Sequence, residues 1–584
     1  MPQDTPDKTA LQRIESLRRQ REKILSLSAE KGLESILDAP QPAALVHSWA
    51  EQDLYFLIHD LGPEDAQPLL ALVSERQRDY LLDLECWQRD RIDLPAATRW
   101  LDLFLRTDPK RLAKWCLTEG GDFVAFYLFR NIVVRVREHD QDPSDFGPDF
   151  FTIDDTFYIR VLDGPTPTED RDAAASTPRD LIPRLIERLA DEDYPRYQQL
   201  IQEAMDVLPA EHEEELYRMR NVRLAEKGFL PPKKAVGVYQ PLNAHHFKDQ
   251  PAKYVSPPQQ TFPMVVPLVP AGMLQDDNLF TRSLQRIDAD RTLQQLQAEF
   301  AALCNQIISA DGRSIRDREE LREIVGKACG YLSLGLEVLC PSGSSETPGR
   351  SSALIQIHGL IDIFRLGYGQ ALSLKWRAEQ WHRSGWFGAT GLPLSFWAEE
   401  GMGVLGGLLL KKPLFFDNYR SGKIYREFTC GEDLSSTAAV LDDIIALDDL
   451  IGRMALRGLP RSELLLTYKS LLLTLWAADR LGLEETAGTY TSSDRPIALP
   501  LEAFKTFFEG LWRDVNPPRK ARQSVKEDFL RYLADRSAQP AADVSDRLGH
   551  TLETLFAEIE GELGRVATRD LDPRFVHLFI LQIP

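Results

Sequence analysis

The stretch from Asp53 to Trp115 restarts a short amphipathic helix several times, and a readable cap marks each restart. Leu54, Phe56, Leu57 and Ile58 form an apolar run that ends near Gly62. Pro63 follows, and because a first-turn proline loses no hydrogen bond it is expected to open the next helix, DAQPLLAL. Ser74 and Gln77 have capping-box spacing ahead of QRDYLLDL, and Asp108 with Pro109 opens RLAKWCL after RWLDLFL. A chain punctuated in this way is expected to stack short helices, an architecture that builds binding surfaces.

Composition bounds what such a stack belongs to. The 584 residues suffice for several well-buried domains, and 43% hydrophobic with 27% charged residues is a globular balance. A net charge of −20 disfavours nucleic acid and anionic membrane as partners. Cys86, Cys116, Cys304, Cys329, Cys340 and Cys430 are scattered without CxxC or zinc-like spacing, which fits reduced thiols. MPQDTPDKTA lacks the apolar core of a signal peptide. MGVLGGLLL and LLLTYKSLLLTLWAA both fall short of the ~20 apolar residues of a membrane span. A soluble, cytoplasmic protein is expected.

Hydrophobic periodicity organises the chain as mainly α. Residues 1–50 read as a charged N-terminal helix and lead-in, and 51–137 as a superhelical array of short helices. Residues 138–243 read as a β-hairpin, FFTIDDTFYIRV turning at Asp154 and Asp155, followed by helices that end at Gly228. Residues 244–273 are a Pro-rich linker, and 274–584 a larger C-terminal helical domain. The terminal RFVHLFILQIP is expected to be a short buried strand or a docking segment.

The phrases LIHDLGPEDAQPLLALVSERQRDYLLDL give the array a resemblance to the helical-repeat N-terminal domain of bacterial magnesium transporters. That resemblance implies an architecture, and the spans of a transporter are missing from the sequence. Over nearly its whole length the chain resembles a bacterial family of unknown function, through LLDLECWQRD, DDTFYIRV, YRMRNVRLAEKGF and GVLGGLLLKKPLFFDNY. This second resemblance implies no activity and no catalytic residue.

The leading site candidate is a nearly all-apolar helix expected from Ser352 to about His382, on which His358, Asp362 and Arg365 fall at i, i+4 and i+7. A buried Asp362–Arg365 pair beside His358 satisfies burial without function. The alternative is a ligand pocket shared with the aromatic cluster Trp376, Trp381, Trp386, Phe387 and Trp397, of which Trp381, Trp386 and Trp397 are the candidate lining residues.

Other motifs carry less. Gly401, Gly403 and Gly406 match a dinucleotide string, but Pro413 ends the element and no acidic residue follows at the required distance. Close packing of a small-residue face is the expected use. Asp442, Asp443, Asp448 and Asp449 are expected to form a solvated acidic face, and Glu211, Glu213, Glu214 and Glu215 likewise. His245 and His246 lack accompanying metal ligands. Arg519, Lys520, Arg522 and Lys526 near a helix start call for acidic neighbours. No cofactor or metal site is expected. The sequence favours a non-enzymatic interaction or regulatory protein with a protein partner, homo-oligomerisation remaining open, over an enzyme or ligand-binding protein with its pocket at His358, Asp362, Arg365 and the tryptophans.

Overall fold

The computed structural model describes residues 8–162, 176–249, 253, 267, 269–274, 277–313, 315–341, 347–454, 456, 466–483, 498–514 and 516–582. The chain divides into two compact units, Met1–Arg365 and Leu366–Pro584. Both are mainly α-helical, with β-structure confined among the described residues to three two-stranded antiparallel pairs and isolated bridges. No described helix is long and apolar enough to cross a membrane. Most of the Pro-rich segment 244–273 lies outside the described residues.

In the first unit the caps behave as their chemistry requires. Ser74 and Gln77 form the reciprocal capping box of the helix Glu75–Glu85. Asp108 accepts from the Arg111 N–H at 3.1 Å and caps Pro109–Cys116. Gly62, at φ +88°, ends Glu51–Leu61. The next helix starts later than Pro63 suggests, at Gln67–Leu70 with Pro68 in its first turn, because residues 63–66 form a turn. Gly228, at φ +86°, closes the helix Pro209–Ala225, and a Cβ there would press on the Ala302 backbone at 2.7 Å.

The β-hairpin reading needs correction. Phe157–Val161 pairs along its length with Ile132–Val136, and Phe151 makes only a bridge to Ile159. The run IVVRV falls within the expected helical array, yet its four β-branched residues favour an extended strand as soon as a partner edge is offered. A second pair, Trp87–Gln88 with Arg91–Ile92, also interrupts the array. Glu213 departs from the exposed acidic face expected of it: it is buried, ion-paired to Arg91 at 2.6 Å, and accepts the Ile92 N–H at 3.0 Å.

The second unit is built around two aromatic cores. Trp381, Phe387, Phe396 and Trp397 pack with ring centroids 5.2–6.0 Å apart. Trp476 packs on Phe507 and Phe529 at 4.9 and 5.0 Å, and Phe579 reaches Phe504 at 4.9 Å. The C-terminal segment is thereby anchored, with a parallel bridge from Leu581 to Leu499. The basic run finds its acidic neighbours, Lys520 at Glu560 (2.7 Å) and Lys526 at Glu553 (2.5 Å).

Candidate functional site

The helix Ala398–Leu408 organises a cleft of about 560 Å³ in the second unit. Its glycines are used for close packing. A Cβ on Gly403 would overlap the Phe416 ring, one on Gly407 the Leu414 carbonyl, and one on Gly406 would stand 2.6 Å from the Tyr425 hydroxyl. The hairpin Phe415–Phe416/Tyr425–Arg426 seats in that space, and the Tyr425 hydroxyl donates to the Gly403 carbonyl at 3.1 Å. Arg426 fastens the hairpin from behind, donating to Asp417 at 2.8 Å and to both oxygens of Asp433 at 2.7 Å, with its guanidinium 4.3 Å over Phe415. Burial alone would raise the Asp433 and Asp417 pKa values. The hydrogen bonds each accepts from Arg426, with those from Thr429 and Ser421, outweigh it and leave both carboxyls below their ordinary range.

The remaining walls come from the helices Gly431–Arg453, Tyr468–Arg480 and Ala541–Leu563. Four carboxylates line the cleft, Glu399, Glu400, Asp443 and Glu558, against the two cations Arg420 and Lys469. Lys469 is committed to Glu558 at 2.5 Å, and Asp443 accepts from Thr551 at 3.0 Å. Tyr468 sits among them. Its pKa is pushed up first by burial and then by the fields of Glu558, Asp443 and Glu400, three carboxylates from three different helices.

Trp397 forms the inner wall, 2% exposed, and its indole nitrogen has no hydrogen-bond partner among the described residues. A buried donor in that state costs free energy. The next residue, Ala398, holds φ +60° with ψ −173°, a region that only glycine enters readily and that costs on the order of 1–3 kcal/mol. Backbone strain and an orphaned donor thus adjoin each other in the wall of one cleft.

The sequence-derived candidates separate. The expected continuous helix breaks at His358 and Gly359 into Thr347–Ile357 and Leu360–Ser384. Glu299 stabilises the break, accepting the Leu360 N–H at 2.7 Å while pairing with Lys253 at 2.7 Å. His358 therefore precedes the helix that carries Asp362 and Arg365, and the three do not share a helical stripe. Asp362 and Arg365 stand 3.4 Å apart with both side chains 23% exposed, a half-wet pair where a fully buried one was expected. Arg365 also donates to the Gln240 carbonyl at 2.8 Å. His358, Asp362 and Arg365 lie in the first unit, and Trp381, Trp386 and Trp397 in the second.

Trp381 is core, Trp386 is half-buried, and Trp397 alone of the six candidates lines the cleft. Asp448 corrects the acidic-face reading: it is 3% exposed and accepts from the Trp381 indole N–H at 3.0 Å and from the Trp386 and Phe387 N–H groups at 3.1 and 2.8 Å. Sequence reasoning missed Tyr468, Asp443 and Glu558 as neighbours. Lys469, which interrupts an apolar run, was the one local signal that a charged partner had to arrive. Among the described residues no three His, Cys, Asp or Glu side chains gather as a metal site.

A family model described as a family of unknown function, DUF6178, matches residues 8–582. No curated protein and no solved structure matches the chain. The resemblance of the N-terminal helices to magnesium transporters has no support from these comparisons.

Proposed function

Because the chain belongs to this family of unknown function, we propose its role from its own geometry: the second unit binds a small molecule that carries a positive charge. One observation carries the reading. Three carboxylates on separate helices, of which Glu558 is already paired to Lys469 while Glu400 and Asp443 carry no such pairing among the described residues, converge on Tyr468 inside a cleft whose walls include Trp397, Phe415 and Phe416. Aromatic faces and carboxylates together attract an organic cation, by quadrupole and by charge, and such contacts contribute roughly 0.5–2 kcal/mol each once desolvated. The reading keeps Trp397 from the sequence-derived candidates and moves the rest of the site to Glu400, Asp443, Tyr468 and Glu558.

The test compares choline and spermidine with 3,3-dimethylbutanol, the neutral isostere of choline, by thermal shift and calorimetry at matched ionic strength. The cations are expected to raise the melting temperature saturably and the neutral compound to leave it unchanged. Asp443→Asn is expected to weaken cation binding about tenfold, which corresponds to ~1.4 kcal/mol. Equal responses to cation, isostere and sodium chloride would remove the proposal.

A further inference from the structure

The first unit holds a second cleft, of about 410 Å³, whose charge is opposite to that of the whole chain. In a protein of net charge −20, its lining residues include Arg89, Arg220 and Arg313 and no aspartate or glutamate. Its walls are aromatic. Trp87 and Tyr217 meet at an interplanar angle of 47° with centroids 5.9 Å apart, and Phe229 approaches the buried Tyr80 at 6.4 Å. Nearby carboxylates are engaged elsewhere: both oxygens of Asp83 accept from Arg223 at 2.6 and 2.8 Å, Glu85 accepts the Tyr55 hydroxyl at 2.7 Å, and Glu213 holds Arg91 at 2.6 Å.

The arginines are held toward this space at some cost. Arg220 donates its Nε to the Asp83 carbonyl at 2.6 Å and lays its guanidinium 5.4 Å from the Trp87 ring. That leaves its two terminal nitrogens without a hydrogen bond among the described residues. Arg89 is the first residue of the two-residue loop between Trp87–Gln88 and Arg91–Ile92 and adopts φ +60°. Such a loop position belongs to glycine or asparagine, and a long side chain there works against the turn. Arg89 is exposed, with no partner among the described residues. Arg313 has only a half-exposed contact with Glu323 at 3.4 Å, which water screens.

We propose that this cleft binds a planar aromatic anion of mononucleotide size, its ring against Trp87 and Tyr217 and its anionic group on Arg89 and Arg220. The volume lies in the range of small-molecule sites. Guanidinium forks match the oxygens of phosphate and carboxylate, and the aromatic side chains Trp87 and Tyr217 offer apolar surface to a flat ring. This site is independent of the cation cleft in the other unit, so either proposal can fail alone.

Calorimetry on the full chain decides it, with AMP and 1-naphthoate as planar anions, adenosine as the ring without charge, and inorganic phosphate as the charge without a ring. At least one planar anion is expected to bind at least about tenfold more tightly than either half, and whichever does so identifies the anionic group. Arg89→Gly is expected to lower that affinity about tenfold while raising the unfolding temperature, since glycine accepts φ +60° without strain. Arg220→Met, which keeps an unbranched apolar side chain but removes the guanidinium, is expected to abolish binding; should it unfold the unit, Arg89→Gly still gives the answer. The proposal is overturned if neither planar anion binds, if adenosine binds as well as AMP and 1-naphthoate, or if Arg89→Gly leaves affinity unchanged.

Discussion

Asp448 offers the sharpest quantitative check on the second unit. Its carboxylate is 3% exposed and receives three donors, two of them, the Trp381 indole and the Phe387 N–H, in fully buried surroundings. Asp448→Ala leaves both without an acceptor, at about 1–3 kcal/mol each, while the part-buried Trp386 N–H is within reach of water. The Trp386 and Phe387 N–H groups open the short helix Trp386–Thr390, so its first turn frays with them. One effect runs the other way. Burial raises the Asp448 pKa against the hydrogen bonds that lower it, so removing the ionised group recovers some desolvation. The balance is a loss of about 3–4 kcal/mol, read as a fall in the urea midpoint at constant slope. Asp448→Asn keeps an accepting oxygen but turns an N–H group toward the remaining donor, for a loss of about 1–2 kcal/mol at neutral pH. Because the folded pKa is raised, the stability linked to Asp448 protonation is complete below the unfolded value and is lost as pH rises through the folded one. The gap between wild type and Asp448→Asn should therefore widen in acid. Near-UV circular dichroism and urea midpoints identical in Asp448→Ala and wild type would refute the reasoning.

Four further outcomes follow from the geometry. Gly407→Ala gains up to about 1 kcal/mol of helix propensity but drives a Cβ into the Leu414 carbonyl, so it should destabilise by about 1–3 kcal/mol, whereas Gly561→Ala, with open space around it, should stabilise; urea titration of both variants gives the signs. His358 has its pKa lowered, first by burial, with Asp362 opposing and Lys253 and His246 reinforcing. Stability from its neutral form is thus complete above the unfolded value near 6.5 and is lost as pH falls below it, and His358→Gln should flatten the melting-temperature decline on the acid side of that value. Asp362→Ala should cost about 1 kcal/mol or less, because its pair with Arg365 is partly hydrated; a loss several times larger in a urea titration would restore the buried-pair picture. Limited proteolysis is expected to cut first between Asn243 and Pro263 or within 341–346, ahead of the helix Thr347–Ile357, because both sequences are rich in proline or small polar residues, and mass spectrometry of the first fragments tests the proposed linker.

What was legible in the sequence was local. Ser74 with Gln77, Asp108, and Gly228 as a helix end act through neighbours at most a few residues away, so their chemistry could be read in place; the Ala302 backbone that also excludes a side chain at Gly228 could not. The glycines of GMGVLGG pointed correctly to close packing, though not to Phe416 and Tyr425 as the groups received. Where a partner was distant, the reading failed in a consistent direction. Asp448 and Glu213 looked like solvated acids because their donors lie 61 and 121 residues away for Phe387 and Ile92. The stripe of His358, Asp362 and Arg365 presupposed an unbroken helix. Gly359 was visible, but Glu299, 61 residues from the Leu360 N–H it accepts, was not.

The same distinction explains why neither cleft announced itself. A motif is legible when one element supplies its chemistry, as a capping box or a phosphate loop does. Here the cation cleft draws Glu400, Asp443, Tyr468 and Glu558 from four helices, and the anion cleft needs a hairpin turn, a helix face and Gly312's neighbour to meet. What each site leaves behind locally is a departure from consistency. Ala398 occupies a glycine conformation at the edge of one cleft and Arg89 does so at the edge of the other, and both face away from the lowest-energy choice for their position. Natural chains agree with themselves across levels except where function demands otherwise. A positive φ on a residue with a side chain, set in the wall of a cleft, therefore directs attention to these two places more strongly than any string in the sequence.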